Sequence, residues 1–143
     1  MINLHILISG GSGLIGRALT EALLRSGHTV SILSRRPQEV AMPDQVNVLP
    51  WDARTLSGWE KEIEGTDAVV HLAGESIAGN GMFGIFPQRW TSHRRDLILR
   101  SRIETGQALA KAIESAKNKP KVFIQASAIG YYGPSDVQTI TES

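Results

Sequence analysis

Apolar positions along this chain fall into two kinds of run. Five are short and dense in Val, Ile and Leu: Leu4 to Ser9, Thr29 to Ser34, Val46 to Trp51, "AVVHLAG" over 68–74, and "KVFIQAS" over 121–127. Runs of this length and composition predict strands, and the leading one reads as a strand buried on both faces. Two further sets are periodic. Leu14, Ile15, Ala18, Leu19, Ala22 and Leu23 recur at three- and four-residue spacing, which predicts one apolar helix face. Leu97, Ile98, Ile103, Leu109, Ala110 and Ile113 offer a buried stripe for a second helix over about 91–116. Gly27 supplies a stop for the first helix and Lys117 to Pro120 for the second. Residues 55–65 carry only a weak helical pattern. Strands alternating with helices predict an α/β fold, a doubly wound parallel sheet with right-handed crossovers and strand order 3-2-1-4-5. A ligand would then lie across the carboxyl ends of strands 1 and 4, where the winding direction reverses.

Two glycine-rich loops fall on that edge, one after Ser9 and one after Leu72. The first holds Gly10, Gly11, Gly13 and Gly16, too much bare backbone for a helix or strand interior. Glycine admits positive φ and lets a bound group approach the main chain. Strand, glycine turn and helix in that order direct the free N–H groups of the helix start at whatever sits above the turn, and the helix dipole favours an anion there. The spacing fits both G-x-G-x-x-G, from Gly11, and the wider Gly10-x-x-Gly13-x-x-Gly16. An unliganded strand-to-helix turn would need the same glycines, but it would not predict the second loop.

Composition narrows the classes. At 143 residues the chain fits one domain by the usual prior of roughly 100 to 200. A net charge of +1 provides no field that would draw nucleic acid or a membrane surface. The absence of cysteine excludes disulfides and thiolate metal sites, and His5, His28, His71 and His93 lack metal-ligand spacing, so no metal is expected. No signal-like segment precedes the first strand and no apolar run approaches the roughly 20 residues of a membrane span. The expectation is a cytoplasmic protein.

With "SGGSGLIG", "SRR", "WD", "HLAGE", "RW", "SRIETGQAL" and "QASAIGYYG" in this order, the chain resembles the extended and atypical short-chain dehydrogenase/reductases. Within them it is most similar to the epimerase family proteins, which look like nucleoside-diphosphate-sugar epimerases. The resemblance implies a Rossmann fold, an NADP cofactor and a small-molecule substrate, a sugar nucleotide among the candidates. It places the cofactor on Gly10, Ser12, Gly13, Leu14, Ile15 and Gly16. It also implies that Leu72, Ala73 and Gly74 line the dinucleotide. By the same resemblance Arg102 aligns with a buried asparagine on the helix facing the site, where a cation could meet cofactor phosphate or an anionic substrate.

The residues at the end of strand 2 agree on NADP. NAD-selecting sites place an acid there for the ribose 2′-hydroxyl, whereas Ser34-Arg35-Arg36 offers a hydroxyl and two guanidinium forks suited to a 2′-phosphate. The same residues also suit a solvated turn. Asp52 has two readings, acceptor for the adenine amino group or turn carboxylate. Glu75 likewise reads as a partner of the nicotinamide ribose or as a loop charge.

In the resembling proteins the serine at the end of strand 5 hydrogen-bonds the reacting hydroxyl or carbonyl, which makes Ser127 the catalytic candidate, with Tyr131 and Tyr132 lining the site. A phenol acts as a base at neutral pH only when a cation lowers its pKa from about 10. The superfamily's Tyr-x-x-x-Lys does not occur in these residues. The expected function is the cofactor-binding part of an NADP-dependent epimerase or oxidoreductase from a longer protein; the alternative is a non-catalytic NADP-binding sensor or interaction module. A fifth strand with an open edge also predicts self-association.

Overall fold

The computed structural model describes residues 2–75 and 91–127. Five strands, β1 (His5–Ser9), β2 (Thr29–Ser34), β3 (Asn47–Pro50), β4 (Ala68–His71) and β5 (Val122–Gln125), lie within the five apolar runs. They form one parallel sheet in the order β3-β2-β1-β4-β5, as expected. Because side chains alternate along a strand, each central strand feeds two cores. Ile6, Ile8, Val30, Ile32 and Val70 pack on one face with Leu19, Leu23 and Leu24 of α1 (Leu14–Arg25). Leu7, Leu33 and Val69 pack on the other with Ala108, Leu109 and Ala112 of α2 (Ser92–Ser115). The sheet is therefore doubly wound, and its direction reverses between β1 and β4.

Helix ends follow the local chemistry. Thr91 Oγ1 accepts from Arg94 N at 3.1 Å and caps α2. α1 ends at Ser26, followed by Gly27 at φ +79°, whose N–H donates to Leu24 O. The weak pattern at 55–65 resolves as a 3-10 helix, Glu60–Gly65. It is anchored by Trp59, whose ring meets Trp51 edge-on at 5.3 Å, and both indole N–H groups donate to Thr55 O.

Both predicted helix faces need correction. Leu14 is 91% and Ile15 69% exposed, Ala18 and Ala22 are exposed as well, and Gly16 and Thr20 are the buried residues of α1. The physical reason is the close seating of the helix on the glycine turn: a Cβ at Gly16 would lie 2.5 Å from Gly10 O. On α2 the buried residues are Thr105, Ala108, Leu109 and Ala112, while Leu97, Ile103 and Ala110 are exposed. Its first half meets loops through polar groups, so apolar periodicity misplaces the stripe.

Candidate functional site

The site is built on the carboxyl edge, starting from the turn between β1 and α1. Gly10 has φ +77°, and a Cβ there would lie 2.7 Å from Ala73 N, so bare backbone is what lets the turn rest on the segment after β4. Gly13 is different: as N-cap of α1 it has φ −74° and ψ 175°, open to any residue, and a Cβ would meet only Gly10 O at 3.3 Å. A Cβ at 13 would ask Gly10 O to give by only a few tenths of an ångström, so the fold makes a weaker demand for glycine here than at 10 or 16. No side chain caps α1 and its first turn holds no acid, so the amides of Leu14 and Ile15 open that helix end to an anion.

A cleft of about 790 Å³ extends from this turn, lined by Gly10, Ser12 and Gly13, by Ser34, Arg35 and Arg36 after β2, and by Leu72 to Glu75 after β4. Arg36 Nη1 reaches Glu39 at 3.2 Å, and its amide donates to Ser34 Oγ. Arg35 makes no hydrogen bond or ion pair among the described residues and borders both this cleft and a neighbouring hollow of about 430 Å³. The two spaces also share Ala53, Ala73, Gly74 and Glu75, so they adjoin along one edge. Asp52 closes its own turn: Oδ1 accepts from Arg54 N and Thr55 N, and Oδ2 from Thr55 Oγ1. These bonds hold its carboxyl below the usual carboxylate range. That is the turn-carboxylate arrangement, while Asp52 still borders the smaller hollow. Ala53, beside it, has φ +67°, an uncommon conformation for a residue with a Cβ.

The segment after β4 is held by α2. Glu75 N donates to Ser101 Oγ at 2.9 Å, and Arg94 Nη1 meets Glu75 Oε1 at 3.2 Å with both side chains mostly buried. Arg102 Nη1 donates to Glu75 O and Ile98 O, and its guanidinium lies against Gly74. Arg102 is not among the described residues that line either space; it braces the loop. Glu75 borders both spaces with one oxygen already paired to Arg94.

Beneath the loop, buried His71 joins three elements. Thr105 Oγ1 donates to Ser101 O at 2.6 Å, so it accepts from His71 Nε2–H at 3.0 Å, which leaves Nδ1 to accept from Ser9 Oγ–H at 2.6 Å. Burial pushes the His71 pKa below its ordinary value, so the ring stays neutral at pH 7. The bridge ties the last residue of β1, directly before Gly10, to β4 and α2.

Ser127 is exposed on the same edge, just past Ala126, whose amide donates to His71 O and continues the β4–β5 pairing. Tyr131 and Tyr132 lie outside the described residues. Sequence reading missed Arg17, Ala53 and the His71 bridge. The available signals were a cation in the first turn of a helix and a histidine inside an otherwise apolar strand. Among the described residues no group of three or more His, Asp or Glu is placed to hold a metal, and no helix is long and apolar enough to cross a membrane.

The sequence model of the NAD dependent epimerase/dehydratase family matches residues 6–143. An epimerase family protein of Staphylococcus saprophyticus is 36% identical over 96% of this chain and 42% of its own length. One from Bos taurus is 38% identical over 92% of this chain and 39% of its own. The chain thus spans about two fifths of the length of the curated relatives it matches. Among solved structures, a human epimerase family protein with NADPH superposes with a TM-score of 0.66 at 33% identity, over 92% of this chain and 39% of that one. A UDP-glucose 4-epimerase gives 0.74 at 25% identity, over 96% and 40%.

Proposed function

The chain belongs to the NAD dependent epimerase/dehydratase family, and on that premise we propose that it binds NADP(H) across the carboxyl edge of its sheet as the nucleotide-holding part of an epimerase or oxidoreductase. The observation that carries this reading is the turn at 10–16. Gly10 and Gly16 are required by packing, whereas Gly13 stands bare over an uncapped, acid-free helix start. That is the arrangement a pyrophosphate needs.

The cations favour a further phosphate. Of the charges lining the larger cleft, Glu39 is paired with Arg36 and Glu75 with Arg94, while Arg35 stands free among the described residues. The human relative solved with NADPH supports the same choice. When bound, the nicotinamide supplies reversible hydride acceptance from a substrate C–H. Ser127 holds the substrate oxygen by its hydroxyl, and Tyr131 and Tyr132 are the further catalytic candidates. The fold shared with a UDP-glucose 4-epimerase favours a sugar nucleotide as the small-molecule substrate. A chain without cysteine fits a reducing, cytoplasmic compartment.

Hydrogen exchange with and without NADPH tests the assignment. Protection should appear at residues 10–17, 34–41 and 72–75 and be absent from the amino edge of the sheet. Unchanged exchange at 10–17 under saturating NADPH would overturn it.

A further inference from the structure

Arg17 sits where a cation is disfavoured. It is the fourth residue of α1, in a first turn that carries no acid, so its charge adds to the positive end of the helix dipole. The structure nevertheless fixes it there: Nε donates to Ser12 O at 2.9 Å and Nη1 to Ala41 O at 2.7 Å. One guanidinium thus straps the glycine turn to the segment that follows β2, across the end of the cleft that it lines together with Ser34 and Arg35. Guanidinium carries five N–H donors in a rigid plane. Two are used, and the rest have no protein partner among the described residues.

Resting on the NADP reading, we propose that Arg17 is a specificity residue: it holds the 2′-phosphate end of the cleft at its working width and, with Arg35, donates to the 2′-phosphate itself. Three observations converge on this. Arg36 is drawn to Glu39, which leaves Arg35 without a second free cation after β2. Arg17 spans the two walls between which an adenosine ribose bound at the end of β2 would lie. The positive charge of Arg17 beside an uncapped helix start is uncompensated by any acid of the first turn, a state that a phosphate dianion relieves and a ribose hydroxyl does not.

The test is titration of the full chain and its Arg17→Ala and Arg17→Lys variants with NADPH and NADH, and with adenosine 2′,5′-bisphosphate and ADP as minimal probes, after thermal melts confirm folding. Arg17→Ala should weaken NADPH and the 2′,5′-bisphosphate by about tenfold or more and change NADH and ADP much less. Arg17→Lys, which keeps the charge but loses the fork, should restore part of the difference. Equal losses for phosphorylated and unphosphorylated probes would reduce Arg17 to a structural strap and overturn the proposal. If the unaltered chain bound neither dinucleotide, the cofactor reading itself would fall, a separate outcome.

Discussion

Adding one methyl group at two glycines of the same turn separates what the ligand demands from what the fold demands. At Gly13 the backbone is extended and a Cβ meets only Gly10 O, at 3.3 Å. Gly13→Ala gains up to about 1 kcal/mol by restricting the unfolded chain. It loses about as much because alanine is the poorer N-cap. The melting temperature should therefore move by less than about 4 °C. At Gly16 the same atom would lie 2.5 Å from both Gly10 O and Gly11 Cα, backbone atoms that cannot swing aside. A helix-propensity gain of about 1 kcal/mol is there set against an overpacking cost of roughly 1–3 kcal/mol or more, and a net loss of about 1–2 kcal/mol lowers the melting temperature by roughly 3–8 °C. Binding should rank the other way. Moving a phosphate off two helix amides forfeits about 1.5 kcal/mol for each charge-assisted bond, in total about a hundredfold in affinity. Circular-dichroism melts and NADPH fluorescence titrations read the two effects, and Gly13→Val should deepen the binding loss. Retained affinity at Gly13→Ala and Gly13→Val would refute the phosphate reading, and a fully stable Gly16→Ala would refute the packing argument.

Other consequences are as specific. Arg35→Ala should erase most of the preference for NADPH over NADH while Arg36→Ala, whose side chain is engaged with Glu39, erases less; calorimetry on both variants checks the order. Thr20 Oγ1 is fully buried with no hydrogen-bond partner among the described residues, so Thr20→Val should stabilise the fold by about 1 kcal/mol, and a lowered melting temperature would contradict this. His71 is neutral in the fold with its pKa depressed by burial. Below pH 6.5, its ordinary value, the unfolded chain therefore binds more protons than the native one, and stability should fall as pH drops from 7.5 towards the depressed value. Melts of His71→Gln should show a flatter pH dependence in that window; an unchanged slope counts against the bridge. Val122, Phe123 and Ile124 are exposed on edge strand β5, so light scattering should show mass rising with concentration, and Phe123→Lys should suppress the rise.

The strands were legible because a sheet buried on both faces needs near-continuous apolar runs, and Ile6, Leu7 and Ile8 satisfy two cores at once. Their order followed from the alternation of strand and helix. The helix faces were legible only in part, through Leu19, Leu23, Leu109 and Ile113. α1 is oriented by contacts at Gly16, which has no side chain to signal them, and Leu14 and Ile15 imitate a core stripe while standing in solvent. The first half of α2 is held by Arg94, Ser101 and Arg102, whose hydrogen bonds to the segment after β4 leave no apolar period in the sequence. The glycine turn after β1 could be read from the spacing, but not which of its glycines the packing requires. That distinction rests on the distances from each missing Cβ.

The most direct test of the central claim, that the carboxyl-edge cleft is an NADP(H) site, is isothermal titration calorimetry of the unaltered chain with NADPH and with NADH at one salt concentration. The account predicts a single saturable site for each nucleotide, with NADPH bound about tenfold or more tightly through its additional phosphate. No saturable heat with either nucleotide, or equal affinity for the two, would contradict it.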